Sequence, residues 1–185
     1  MTTGLPTRRW TVDEYHRMAD AGVLGEDDRV ELLEGEVVEM GPIGSRHNAC
    51  VDRLVALLQP QVAGRAILRV QGSIGLSPSS EPQPDVAVLR WRDDFYAEEL
   101  PGPADVVLVV EVAESSSDID RDKTRLYGRA GVAQAWVIDL PAGQLTDSRR
   151  PTPEGYAETR TYSPSDTAQL AALPDVAVEV GRTLP

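Results

Sequence analysis

The sequence is short of three things, and each shortage removes a class of explanation. Among its 185 residues there is one cysteine, Cys50, so no internal disulfide can form and a reducing, cytoplasmic setting is the expectation. Aromatic residues make up 5%, and no apolar run approaches the roughly 18 residues that a membrane helix needs. The opening MTTGLPTRRWTVDEY has arginines but no apolar segment, so no secretory signal is predicted. The third shortage is positive charge: 18 Lys and Arg stand against 30 Asp and Glu, a formal net charge of −12. Arg8-Arg9 and Arg149-Arg150 are isolated pairs rather than a stripe, which argues against a broad basic face for gripping nucleic acid. Work on a polyanion would then need a metal ion and local basic residues acting against a repulsive global field. Otherwise the acids are metal ligands and solvated surface.

What is present fits a globular chain, with 41% hydrophobic and 26% charged residues. The length predicts one domain over 1–185, with 140–185 as C-terminal strands packed on it. The most apolar stretch is Val106 to Val112, VVLVVEV, which reads as a strand buried on both faces. Glu111 sits inside it. An ionised carboxylate there costs several kcal/mol unless a cation compensates it, and a metal ion or a lysine could do so. By strict alternation Glu111 should share a face with Val107, Val109 and Ala113, Val109 being the packed part.

Taken in order, Trp10 to Gly22 predicts a helix with a Thr11/Glu14 capping box and Trp10, Tyr15 and Met18 facing inward. Arg29 to Met40 predicts a hairpin turning at Gly35. Its Glu31 could face a site or solvent, and Glu34 and Glu36 read as turn surface. Gly44 to Gln59 predicts a second helix, ended by Pro60, with Val51, Leu54 and Leu58 as its apolar stripe. His47 lies on that stripe, either as a core-edge histidine or as a site residue at the helix start. Ala66 to Leu76 reads as a strand. Asp85 to Leu89 reads as another, with Asp85 in first position behind Pro84; Pro-Asp alone is more often a turn than a site.

After a charged connection over 90–104 and the Glu111 strand comes a helix to about Ala130, capped by a serine of 115–117 or by Asp118. On it Lys123, Leu126, Tyr127 and Ala130 share one face, with Arg121, Asp122 and Arg125 pointing elsewhere. Lys123 could snorkel to solvent or aim at the end of the preceding strand. Ala133 to Leu140 is a further strand, parallel to the Glu111 strand across this helix, with Asp139 at its end as a cap or turn residue. Gly143 to Ser148 and Tyr156 to Tyr162 predict an antiparallel pair around Pro151 and Gly155. Val176 to Val180 predicts a last short strand.

The order Glu31, Asp85, Glu111, Lys123 resembles the PD-(D/E)-x-K nuclease superfamily, with Pro84-Asp85 as its PD and Glu111 as its acidic member. The lysine expected two residues after Glu111 is replaced by Ala113, and Lys123 stands where a lysine migrated to the next helix would be. The segments VELLEGEVV from Val30, Arg46-His47, PDVA from Pro84, VVEV from Val109 and DKTRLYGRAGV from Asp122 look like the Uma-type endonuclease family of that superfamily. The resemblance runs from about Trp10 to Asp139.

It implies an α/β (α+β) restriction-endonuclease-like fold, a central mixed sheet flanked by helices. It implies a metal-dependent endonuclease-like phosphodiesterase acting on nucleic acid, with DNA the expected substrate, using Mg²⁺ or Mn²⁺, and pairing as a homodimer where two strands are cut. Asp85 and Glu111 are the expected metal ligands, Glu31 a third acid near the metal, and Lys123 the group that positions the attacking water. His47 would touch the scissile phosphate or brace Glu31. The acid set suits a hard cation that takes carboxylate oxygens and keeps several waters. Two other readings stay open: an interaction or regulatory module that keeps the fold without catalysis, which the net charge favours, and hydrolysis of a small phosphoester.

Overall fold

The computed structural model describes residues 7–25, 27–114 and 118–185, the side chains of 118–121 excepted. The expected cap of the third helix and the direction of Arg121 lie outside the described residues. Helix α1 (Val12–Asp20) opens the described chain with the full Thr11/Glu14 capping box, though none of its residues is fully buried and Tyr15 and Met18 are only half-covered. The hairpin β1 (Val30–Leu33) and β2 (Glu36–Glu39) follows. Then come helix α2 (Ser45–Val62), strands β3 (Ala66–Val70), β4 (Val86–Arg90) and β5 (Val106–Ala113), and helix α3 (Asp118–Ala130). Strands β6 (Gln134–Asp139), β7 (Gln144–Thr152), β8 (Gly155–Tyr162), β9 (Thr167–Leu170) and β10 (Leu173–Glu179) lead to the short α4 (Val180–Thr183).

Six strands form one mixed sheet in the order β3-β4-β5-β6-β7-β8. Only β5 and β6 run parallel, because helix α3 carries the chain back between them; every other neighbour is antiparallel. All eight residues of β5 are buried, as a central strand covered on both faces requires. One face is dressed by α2, through Cys50, Val51, Leu54, Leu58 and Val62, and by the β9–β10 hairpin. The other is dressed by α3 through Tyr127, and by Ile74, Leu76 and Tyr96. Among the described residues no helix is long and apolar enough to cross a membrane.

Four local expectations are corrected. The strict alternation of β5 is broken: Val88 faces Leu108 but Leu89 faces Val106, so Val107 is an extra residue, a bulge. Val107 therefore joins the α2-side core with Leu108, Val110 and Val112, whereas Val109 packs on the α3 side with Tyr127. Pro60 does not end α2, which runs on to Val62. Proline costs the helix one hydrogen bond, and burial of Val62 in the core holds the last turn in place. Strand β3 stops at Val70, because Gln71 takes a left-handed φ of 47°. Finally, the tail holds two paired strands, β9 and β10, where one was expected. The first is short and carries only Ala168 and Leu170 inward, too little periodicity to mark it in the sequence.

Candidate active site

Three pieces of chain converge at the end of the sheet where β4 begins and β5 finishes. The first is the β1–β2 hairpin. Its two-residue turn has Glu34 at φ 49° and Gly35 at φ 79°, the left-handed pair that a tight hairpin needs. Glycine is also required for space, since a Cβ at Gly35 would lie 2.7 Å from Arg9 Cβ. Behind this turn Glu31 is 4% exposed. The segment before Asp85 is stitched alongside β1, with the Glu81 N–H donating to the Leu32 carbonyl at 2.8 Å. That brings the Gln83 N–H to Glu31 Oε2 at 3.1 Å. Of the two directions open to Glu31, the structure takes the inward one.

The second piece is the start of β4. The strand begins at Val86, so Asp85 precedes its first paired residue. Val86 faces Val110, and the same register carried one step places Asp85 opposite Glu111. Asp85 Oδ2 accepts the Val112 N–H at 2.8 Å and lies 3.0 Å from His47 Nε2. His47 is buried on α2, as its stripe predicted, and its partner is Asp85, not Glu31. Its Nδ1 has no partner among the described residues.

The third piece is α3. Lys123 is 5% exposed, and its Nζ lies 2.9 Å from Glu111 Oε1 and 3.1 Å from Glu31 Oε2. It does not snorkel; it bridges two carboxylates. One turn later, Tyr127 donates its hydroxyl to the same Glu111 Oε1. Asp122 and Arg125, on the other side of the helix, are exposed and pair with each other.

These contacts set the electrostatics. Burial pushes the Glu111 carboxyl up, Lys123 pulls it back and nearby Asp85 pushes it up again, leaving it at about 7. Burial works against the Lys123 ammonium, but Glu111 and then Glu31 hold its pKa above the ordinary lysine value. The Tyr127 phenol is raised well above its usual value by burial and by Glu111. The Asp85 hydrogen bond raises His47 against the opposing effect of burial. Three carboxylates thus face one ammonium and one imidazole.

Glu31, His47, Asp85, Glu111 and Lys123 line one cavity, bordered by Arg29 and Ile43. Among the described residues no three His, Cys, Asp or Glu side chains are spaced to share one cation. Glu31 spends its Oε2 on Lys123 and Gln83. The donor pair that the sheet register sets face to face is Asp85 and Glu111. Their described contacts fall on Oδ2 and Oε1, and the described residues give no partner to Asp85 Oδ1 or Glu111 Oε2. Two carboxylates with room for water fit a hard divalent cation.

Two residues at this end escaped sequence reasoning. Glu114 accepts the N–H groups of Gly44 at 3.2 Å and His47 at 3.3 Å, so it caps α2 from a strand end 70 positions away. A hint existed, because the residue just before the helix is Gly44, which has no side chain to cap it. A Cβ there would lie 2.6 Å from a Glu114 oxygen. Tyr127 read as a core aromatic, and its position four residues after Lys123 was the available signal of a second role.

The model of a family described as Uma2, "Putative restriction endonuclease", matches residues 12–181, well past the Asp139 limit of the motif resemblance. No curated protein sequence matches the chain. Among solved structures, one titled as a "putative nuclease belonging to DUF820" from Anabaena variabilis ATCC 29413 is similar, with a TM-score of 0.75 at 16% identity. The match covers 94% of this chain and 96% of that one, and at this identity it speaks for the fold alone.

Proposed function

The chain belongs to the family described as Uma2, "Putative restriction endonuclease", and from that membership we propose that it is a divalent-cation-dependent endonuclease-like phosphodiesterase acting on DNA. The observation that carries the reading is Lys123 Nζ, held within 3.1 Å of both Glu31 and Glu111 in the cavity that Asp85 also lines. A lysine buried between two acids is expensive as a structural device. It is well placed as a donor aimed at a phosphoryl oxygen or at an attacking water.

Asp85 and Glu111 are the proposed ligands of a Mg²⁺ or Mn²⁺ ion, with Glu31 as the third acid beside it. Such an ion would lower the pKa of a water and neutralise phosphate charge. The chain's own groups do the rest. His47 and the Val112 N–H fix Asp85. Glu31 holds Lys123 in register with Glu111. Lys123 donates to the attacking water or to the non-bridging oxygen on which charge builds. A bond forms from the water oxygen to phosphorus, the bond from phosphorus to the leaving sugar oxygen breaks with its electron pair staying on that oxygen, and the proton that the water loses is made up on the leaving sugar hydroxyl by exchange with solvent. Arg29, at the cavity border, adds its positive charge to that of Lys123 in a chain of net charge −12.

The test is a nicking assay on supercoiled DNA with Mg²⁺ or Mn²⁺, comparing the native chain with Asp85→Asn, which can still accept the Val112 N–H. Native cleavage with loss of about a hundredfold or more in the variant supports the reading. Equal rates would remove Asp85 from the chemistry. No cleavage of any nucleic acid by the native chain would favour a fold kept for interaction, which the acidic net charge also suits. Open circles alone indicate one site acting singly, whereas prompt linear product indicates the expected homodimer.

A further inference from the structure

Tyr127 is four residues beyond Lys123, so both side chains rise from one face of α3 toward β5. The ring is wholly buried, packed with Val109, Val132 and Ala135 in the α3-side core. That packing needs a ring and nothing more; phenylalanine would fill the same space. The hydroxyl needs its own explanation, because a buried phenol without an acceptor is destabilising. Here it has one: Glu111 Oε1, the same oxygen that Lys123 approaches at 2.9 Å.

The chain contains an internal contrast. Tyr156, on β8, also buries its hydroxyl, and that hydroxyl has no partner among the described residues. Tyr156 is an aromatic used for its ring. Tyr127 is an aromatic whose oxygen is aimed.

Two donors converging on Oε1 have a geometric consequence. A carboxylate held at one oxygen by a single flexible lysine can rotate and exchange its oxygens, and the ammonium, with three hydrogens on a long stem, can follow either. The phenol comes from a packed ring and cannot follow. With Oε1 pinned to α3, Oε2 is the oxygen left toward the cavity.

From this we propose that Tyr127 is a positioning residue of the active site: its hydroxyl fixes the rotation of Glu111, so that Oε2 is presented to the divalent cation and Lys123 stays beside the reacting phosphate. The proposal rests on the metal-site reading above, and its test separates the two. The full-length native chain, Tyr127→Phe and the control Tyr156→Phe are titrated with Mn²⁺ and followed by electron paramagnetic resonance, and the same preparations are assayed for DNA cleavage. In Tyr127→Phe, Mn²⁺ affinity should fall about tenfold, as is usual when a partner of a metal ligand is removed. Its kcat should fall by a similar factor while KM for DNA holds, and Tyr156→Phe should match the native chain throughout.

Mn²⁺ affinity and kcat in Tyr127→Phe within twofold of native, with the native chain binding Mn²⁺, would overturn the role of Tyr127 and leave the metal site standing. Absence of Mn²⁺ binding by the native chain would overturn both. A readout that needs no substitution by phenylalanine uses the chain labelled with 3-fluorotyrosine. Adding Mg²⁺ should shift the ¹⁹F line of residue 127 and leave that of residue 156 in place. A line at 127 that does not move while Mg²⁺ binds would overturn the proposal.

Discussion

Two polar networks among the described residues are built on different principles. The first joins β6, β7 and the β9–β10 turn through Gln134, Asp147 and Arg149. Gln134 donates to Asp147 Oδ1 at 2.9 Å and to the Gln169 carbonyl at 3.1 Å, and accepts the Ala171 N–H at 2.8 Å. Arg149 takes the other Asp147 oxygen at 2.8 Å. The one carboxylate has one guanidinium, and both its oxygens are used. The second network is Glu31, Lys123, Glu111 and Asp85. It holds three carboxylates against one ammonium and His47, it opens on a cavity, and it leaves Oδ1 and Oε2 without a partner among the described residues. Burial of polar groups is common to both. What separates a strut from a site here is charge left unbalanced and acceptors left open.

Lys123→Met should break the second network most severely. Turnover should fall about a thousandfold, in the range expected for loss of a donor to the developing charge. Stability at neutral pH should fall by about 3–5 kcal/mol, because the change leaves buried acids unpaired. The unpaired acids can take up protons instead, so urea melts should show a smaller loss at pH 5 than at pH 8.

Gln134→Leu tests the first network and should do the opposite. Three hydrogen bonds go and the Ala171 N–H and Asp147 Oδ1 lose their partner, which costs about 1–3 kcal/mol. Cleavage per folded molecule should stay at the native rate, as a melt paired with a nicking assay would show. A loss of rate beyond the loss of folded protein would mean that the two networks are coupled.

Glu111→Gln sharpens the contrast through pH. The folded-state pKa of Glu111 is raised from 4.5 to about 7, so between those values the native state binds more protons than the unfolded chain. Native stability should therefore fall as pH rises across that window. Glutamine should remove that slope and leave the variant more stable than native at pH 8, by on the order of 1 kcal/mol, while ending turnover. His47 titrates from a value above 6.5. Its contribution is fully present below 6.5 and is lost as pH rises through its folded value, and that slope should survive in the variant. Urea melts from pH 4 to pH 8.5 would separate the two. The smallest effect belongs to Glu114→Gln, which weakens an anion at the start of α2 and should cost about 0.3–1 kcal/mol, measured as a shift in the thermal midpoint.

The sequence made the residues of the proposed site legible because each carries a local contradiction. Glu111 is a charge inside a valine run, Asp85 stands fixed between a proline and a strand, and Lys123 heads an apolar helical stripe. The βαβ unit was legible for the same reason, from periodicities that change at Gly131. What escaped depends on pairing across distance. The bulge at Val107 exists only in register with β4, and nothing in VVLVVEV announces it. Pro60 reads as a stop, yet α2 continues because Val62 has a core to enter. The Glu114 cap spans 70 positions, and the Gln83 contact to Glu31 is made by a backbone N–H, which no side-chain pattern can reveal.

The central claim is that the unbalanced carboxylates Asp85 and Glu111 hold a divalent cation, and it is tested most directly in a crystal soaked with Mn²⁺ and measured for anomalous scattering. The predicted result is one peak bridging the two carboxylates, absent from crystals of Asp85→Asn. A soaked native crystal with no peak between them, or with its peak at Asp147 instead, would contradict the claim.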